Sequence, residues 1–168
     1  MLTKPLGRSG LTTTKYCLGT MTFGSNTDEA DSFRQLDMAL DAGITLLDTA
    51  EMYPVNPVLK ETVGNTEAII GRWRASRGAV THTMQIATKC SGAGNQMVRD
   101  GANVTPASMR AALEGSLKRL QVETVDLYQL HWPSRGSYHF RQYWKFDPAK
   151  QDSARAVDEL AALVGCVT

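Results

Sequence analysis

Along this 168-residue chain, short apolar runs alternate with longer segments whose apolar residues recur at helical spacing, and that alternation leaves few folds open. The runs are Ile44–Leu47, Met84–Thr88 and Val125–Leu130, with a first strand ahead of Gly19. Thr27 or Asp28 is placed to cap a helix whose stripe is Phe33, Leu36, Ala39 and Leu40, with Gly43 at its far end. Asn65 is placed to cap a second helix, which carries Ile69, Ile70 and Trp73 and closes near Gly78. Thr105-Pro106 opens a third, with Met109, Leu113, Leu117 and Leu120 in register. Asp152 or Ser153 opens a fourth, with Val157, Leu160 and Val164 on one face and Gly165 after it. The order is βα repeated four times, which predicts a mostly parallel sheet covered by helices.

Each apolar run leads into a different ionisable residue: Asp48, Lys89 and His131, with Tyr53 just past the first. Strand side chains alternate faces, so Leu46 and Asp48 share one, as do Ala87 and Lys89, and Leu127 and His131. In neighbouring parallel strands an acid, a cation and an imidazole then converge at one sheet end. A doubly wound sheet would mark its first βα turn with a glycine fingerprint. Gly19-Thr20-Met21-Thr22-Phe23-Gly24 does not spell GxGxxG, and Gly92-Ala93-Gly94 has Met97 where the third glycine belongs. A (β/α)8 barrel explains better why the ionisable groups all sit at strand C-terminal ends. A complete barrel takes eight strands and about 250 residues. The expected fold is therefore α/β, a single domain over 1–168 with about four N-terminal βα units of a (β/α)8 TIM barrel, and Cys166-Val167-Thr168 as a start on a fifth.

Eighteen basic against seventeen acidic residues leave a net charge of +1, which argues against nucleic-acid and anionic-membrane partners. The N-terminus lacks an apolar signal segment and no stretch is long and apolar enough to cross a bilayer, so the expected location is the cytoplasm. Cys17, Cys90 and Cys166 form no CxxC or Cys/His pattern, which suggests neither a disulfide framework nor a metal site. Alternation turns Cys90 away from Lys89, as a buried structural cysteine rather than a reactive thiol.

A tyrosine hydroxyl is a weak acid with a pKa of about 10 unless a nearby cation stabilises its anion. Lys89 is placed to do that, and pairing with Asp48 would keep the ammonium charged and held against the phenol. His131 is placed to donate to a substrate oxygen. Together these groups would protonate an oxygen on which negative charge develops. No residue supplies hydride, so reduction would require a nicotinamide cofactor. Each residue also has a plainer reading: Asp48 as a turn cap, Lys89 as an exposed strand-end lysine, His131 as a half-buried histidine, and Tyr53 as a packing aromatic. Their coincidence at three strand ends favours the functional one.

Gly19–Gly24, the segment Leu47-Asp48-Thr49-Ala50-Glu51-Met52-Tyr53, Ser116–Leu120 and Val125–Pro133 resemble, in order, successive signatures of the aldo-keto reductase family. Ala50–Val55 and Lys89-Cys90-Ser91-Gly92 look most like its Tas-like branch. The resemblance implies an NADP(H)-dependent enzyme that reduces aldehydes or ketones. It makes Tyr53 the general acid, Lys89 and Asp48 its tuning pair, and His131 the substrate-orienting residue. It places Gly19, Thr20, Met21 and Asp48 against the nicotinamide of NADPH/NADP+, and makes Met21, Phe23, Met52 and Trp132 the substrate wall. The loops 54–64, 91–104 and 133–151 would rim the mouth. The resemblance also implies that most groups gripping the rest of the cofactor lie beyond Thr168. Weak NADPH affinity, weak or no activity, and self-association through open half-barrel edges are the corresponding expectations. Two other functions are weighed: a Schiff-base lyase using Lys89, and a non-catalytic regulatory or scaffold protein of the same family.

Overall fold

The structure, a computed structural model, describes residues 1–132 and 147–150. Strands β3 (Cys17–Gly19), β4 (Leu46–Asp48), β5 (Gln85–Cys90) and β6 (Leu127–Leu130) form one parallel sheet in chain order. Its register aligns Gly19 with Asp48, Asp48 with Ala87, and Ala87 with Leu127. Among the described residues β3 and β6 each pair on one side only. The helices expected between the strands are present as α1 (Glu29–Asp41), α2 (Asn65–Arg77) and α3 (Pro106–Leu120). The fourth helix and fifth strand expected from the sequence lie outside the described residues.

Local signals account for the helix ends. Asp28 caps α1 by accepting from the Asp31 N–H at 2.8 Å. Thr105 and Ser108 form a capping box at the start of α3, with Pro106 in the first turn. The second helix departs from expectation. Gly64, not Asn65, is its cap residue, because the chain enters α2 through a left-handed φ of 85° that glycine adopts without strain. The Gly64 N–H donates to the Tyr53 carbonyl at 2.9 Å, so the start of α2 anchors the tyrosine's backbone.

The core sets the two faces of the sheet. Leu47 and Ile86 pack with Leu36, Ile69, Ile70, Trp73 and Leu120 of the helices. Thr88 donates to Glu67 of α2 at 2.6 Å, so it too points at the helices. Asp48, Ala87 and Lys89 therefore occupy the opposite face, as alternation predicts. Glu67 is fully buried and also accepts from Arg119 Nε at 2.8 Å, tying α2, β5 and α3 together.

An element that hydrophobic patterning alone missed closes the other end of the sheet. Strands β1 (Thr3–Pro5) and β2 (Thr12–Thr14) form an antiparallel hairpin. Thr14 Oγ1 accepts from the Thr45 N–H at 3.1 Å and Gln85 Nε2 donates to the Thr12 carbonyl at 3.0 Å. The hairpin thus lies at the starting ends of β4 and β5, away from Asp48 and Lys89. Among the described residues no helix is long and apolar enough to cross a membrane, and no His/Cys/Asp/Glu cluster suits a metal ion.

Candidate active site

Lys89 sits one residue from the end of β5, with its side chain 12% exposed and its ammonium held from two sides. Nζ donates to Asp48 Oδ2 at 2.7 Å and to the Thr49 carbonyl at 2.7 Å. The same nitrogen lies 5.0 Å from the centroid of the Tyr53 ring. Tyr53 is buried, and its ring meets His131 edge to face at a centroid distance of 5.6 Å. The backbone N–H of His131 donates to the Cys90 carbonyl at 2.8 Å, which continues the β5–β6 ladder and places His131 at the rim of the sheet. The structure therefore brings Asp48, Tyr53, Lys89 and His131 into one contiguous cluster.

Electrostatics distribute the protons within it. Burial, followed by the Asp48 charge, pushes the Tyr53 hydroxyl up to about 12. This is a correction to the expectation that Lys89 acidifies the resting phenol. The ammonium is paired with the Asp48 carboxylate and hydrogen-bonded to the Thr49 carbonyl, and it lies 5.0 Å from the ring centroid. Burial and then the Lys89 charge push His131 down to about 4, so its imidazole is neutral at neutral pH. Cys90 is fully buried and raised to about 11, chiefly by burial, as fits an inert structural thiol.

The expected cofactor-facing residues divide. Gly19 lies opposite Asp48 in the ladder, and among the described residues nothing stands within 4 Å of where a Cβ would project, so these residues leave the strand end uncovered beside the carboxylate. Met21, at 48% exposed, flanks that opening. Gly19 and Met21 are thus the accessible members of the expected cofactor-facing set. Thr20 does not face out: it is fully buried, and its hydroxyl donates to the Asp48 carbonyl at 2.8 Å. It latches the loop to β4.

The expected substrate wall divides as well. Met52 and Trp132 are buried in a cluster with Ala50, Tyr53, Val55 and Val98, and the Trp132 ring lies 5.3 Å from His131. Phe23 packs on the helix side of the sheet with Leu36, Ile69 and Trp73, so it belongs to the core and not to the wall. A φ of 91° at Gly24 and a hydrogen bond from Thr66 Oγ1 to the Phe23 carbonyl at 2.7 Å turn it inward.

The model of the family described as "Aldo/keto reductase family" matches residues 15–164. This chain belongs to that family. It is 43% identical over 158 residues to Protein tas of Escherichia coli, covering 92% of this chain and 44% of that protein. It is 38% identical over 120 residues to aflatoxin B1 aldehyde reductase member 2 of Rattus norvegicus, covering 71% of this chain and 29% of the relative. Among solved structures, the holo form of aldo-keto reductase AKR11C1 from Bacillus halodurans superposes with a TM-score of 0.63 at 32% identity. That match covers 78% of this chain and 40% of the other. The chain thus spans less than half the length of these relatives, and its sheet and helices form part of their barrel.

Proposed function

We propose that this chain carries the proton-donating site of an NADP(H)-dependent reductase of aldehydes or ketones, with Tyr53 as the general acid. The observation that carries the reading is Lys89 Nζ held on Asp48 at 2.7 Å and stationed 5.0 Å from the Tyr53 ring. Gly19 and Met21 at the strand end would hold the nicotinamide of the reduced cofactor, which would supply the hydride. The chain's own residues handle the proton. A phenol raised to about 12 stays protonated throughout the neutral range, as a donor must. A carbonyl oxygen that gains negative charge becomes an alkoxide, a stronger base than phenolate, so transfer from Tyr53 runs downhill even from that raised value. The Lys89 ammonium then faces a phenolate instead of a phenol, so its attraction is strongest as the proton leaves. Asp48 orients the ammonium, and His131, kept neutral, donates a hydrogen bond to the substrate oxygen without competing as an acid.

The name of the rat relative supports an aldehyde as one substrate. The Schiff-base alternative loses support, because a lysine nucleophile must be a free amine and Lys89 is engaged by Asp48 and Thr49. The test is a single-turnover assay with the chain in excess over NADPH, so that weak cofactor affinity does not hide chemistry. Carbonyl-dependent loss of the reduced-nicotinamide absorbance across a panel of aldehydes and ketones is expected. No loss with any carbonyl would overturn the reading, and preference for NADH would overturn its cofactor assignment.

A further inference from the structure

Glu51 and Arg99 take no part in the proton transfer, yet they join the two segments that deliver it. Glu51 is buried, and its Oε1 accepts from the Ser91 N–H at 2.6 Å and from Arg99 Nη2 at 3.0 Å. Its Oε2 accepts from Arg99 Nε at 3.2 Å. Arg99 Nη2 also donates to the Ser91 carbonyl at 2.7 Å and lies 3.3 Å from Cys90 Sγ. The Glu51 N–H donates to the Lys89 carbonyl at 3.2 Å.

Sequence position gives this knot its meaning. Glu51 precedes Tyr53 by two residues, and Ser91 follows Lys89 by two. The cross-link therefore spans the tyrosine loop and the lysine strand end with equally short arms. Arg99 reaches in from a backbone at φ 48°, a left-handed conformation that a long side chain seldom adopts. Val98, next to Arg99, packs in the same cluster as Tyr53, Met52 and Trp132.

Cohesion alone does not explain a buried ion pair here, since well-packed apolar side chains of similar volume hold elements together as firmly or more so. What the forked guanidinium adds is direction: several charge-assisted bonds admit one relative placement of the two loops. We propose that the Glu51–Arg99 pair is a positioning device for carbonyl reduction, fixing the Tyr53 loop in register with the Lys89 end of β5. The role in reduction rests on the reading of Tyr53 as the acid. The register itself does not.

The experiment pairs two variants with two readouts. Glu51→Gln keeps the shape and an acceptor for Ser91 but removes the charge, and Arg99→Lys keeps the charge but removes the fork. In whichever variant keeps its fold by circular dichroism, kcat is expected to fall about 10- to 100-fold with the carbonyl KM nearly unchanged, the pattern of misplaced groups. Independently of activity, the His131 imidazole followed by proton NMR is expected to titrate higher than in the parent, because a displaced Tyr53 ring lets water reach it. Folded variants with parental kcat and parental His131 titration would overturn the proposal. A moved His131 titration in a chain whose parent reduces no carbonyl even in single turnover, with the chain in excess over NADPH, would support the register and overturn the acid role of Tyr53 instead.

Discussion

Replacing His131 by asparagine tests the electrostatics of the site through stability, without any need for turnover. In the folded chain, burial and then the Lys89 charge hold His131 at about 4, below its ordinary 6.5. The unfolded chain therefore binds a proton between those values that the folded chain refuses. The sign follows: the stability is fully present above pH 6.5, falls as pH drops through the window, and is lost by about pH 4. A shift of this size corresponds to a ceiling of about 3 kcal/mol. The ring is half-buried and keeps some solvent contact, which discounts the expected contribution to about 1–2 kcal/mol. Urea unfolding at stepped pH measures it, with the parent and His131→Asn compared at each step so that the titration of common carboxylates cancels. The parent is expected to lose about 1–2 kcal/mol more than the variant on acidification. Parallel stability profiles would refute the placement of a neutral imidazole beside Lys89.

Two further outcomes follow from the packing. Glu67→Ala strands Arg119 and Thr88, whose bonds to the buried carboxylate measure 2.8 and 2.6 Å. A loss of about 2–4 kcal/mol by chemical denaturation is expected, and a loss within error would contradict the buried link. Gly92→Ala would bring a Cβ to 2.3 Å from both Trp132 Cδ1 and the Trp132 carbonyl. A cost of about 1–3 kcal/mol and a changed tryptophan emission are expected, as the indole leaves the Ala93 carbonyl it now donates to at 3.0 Å.

The parts of the site that were legible in the sequence are those set by strand periodicity. Asp48 and Lys89 were recognisable as face-sharing residues because alternation along β4 and β5 is a local property, and the parallel register then brought them together. The helices were legible from stripe and cap, and Asp28 and Thr105 act as their residue types predict. Asn65 misled because the residue before it, Gly64, can adopt a conformation that asparagine seldom needs to provide. Phe23 lies in a motif that surrounds the site, but a residue after a strand end has no period to say which way it turns. Glu51 and Arg99 are separated by 48 positions, and neither stands in a pattern that announces a pair. The raised Tyr53 hydroxyl was illegible for a different reason: proximity of a lysine suggested acidification, while burial, the larger effect, depends on the packed loop.

The central claim is that Tyr53 gives up the proton. Its most direct measurement is the rate of carbonyl-dependent NADPH oxidation by Tyr53→Phe against the parent, with cofactor affinity followed by fluorescence titration of both. Removing one hydroxyl from an otherwise unchanged cluster is predicted to lower the rate about 100- to 10,000-fold while NADPH affinity stays at the parental value. A Tyr53→Phe chain that reduces carbonyls at the parental rate would contradict the assignment.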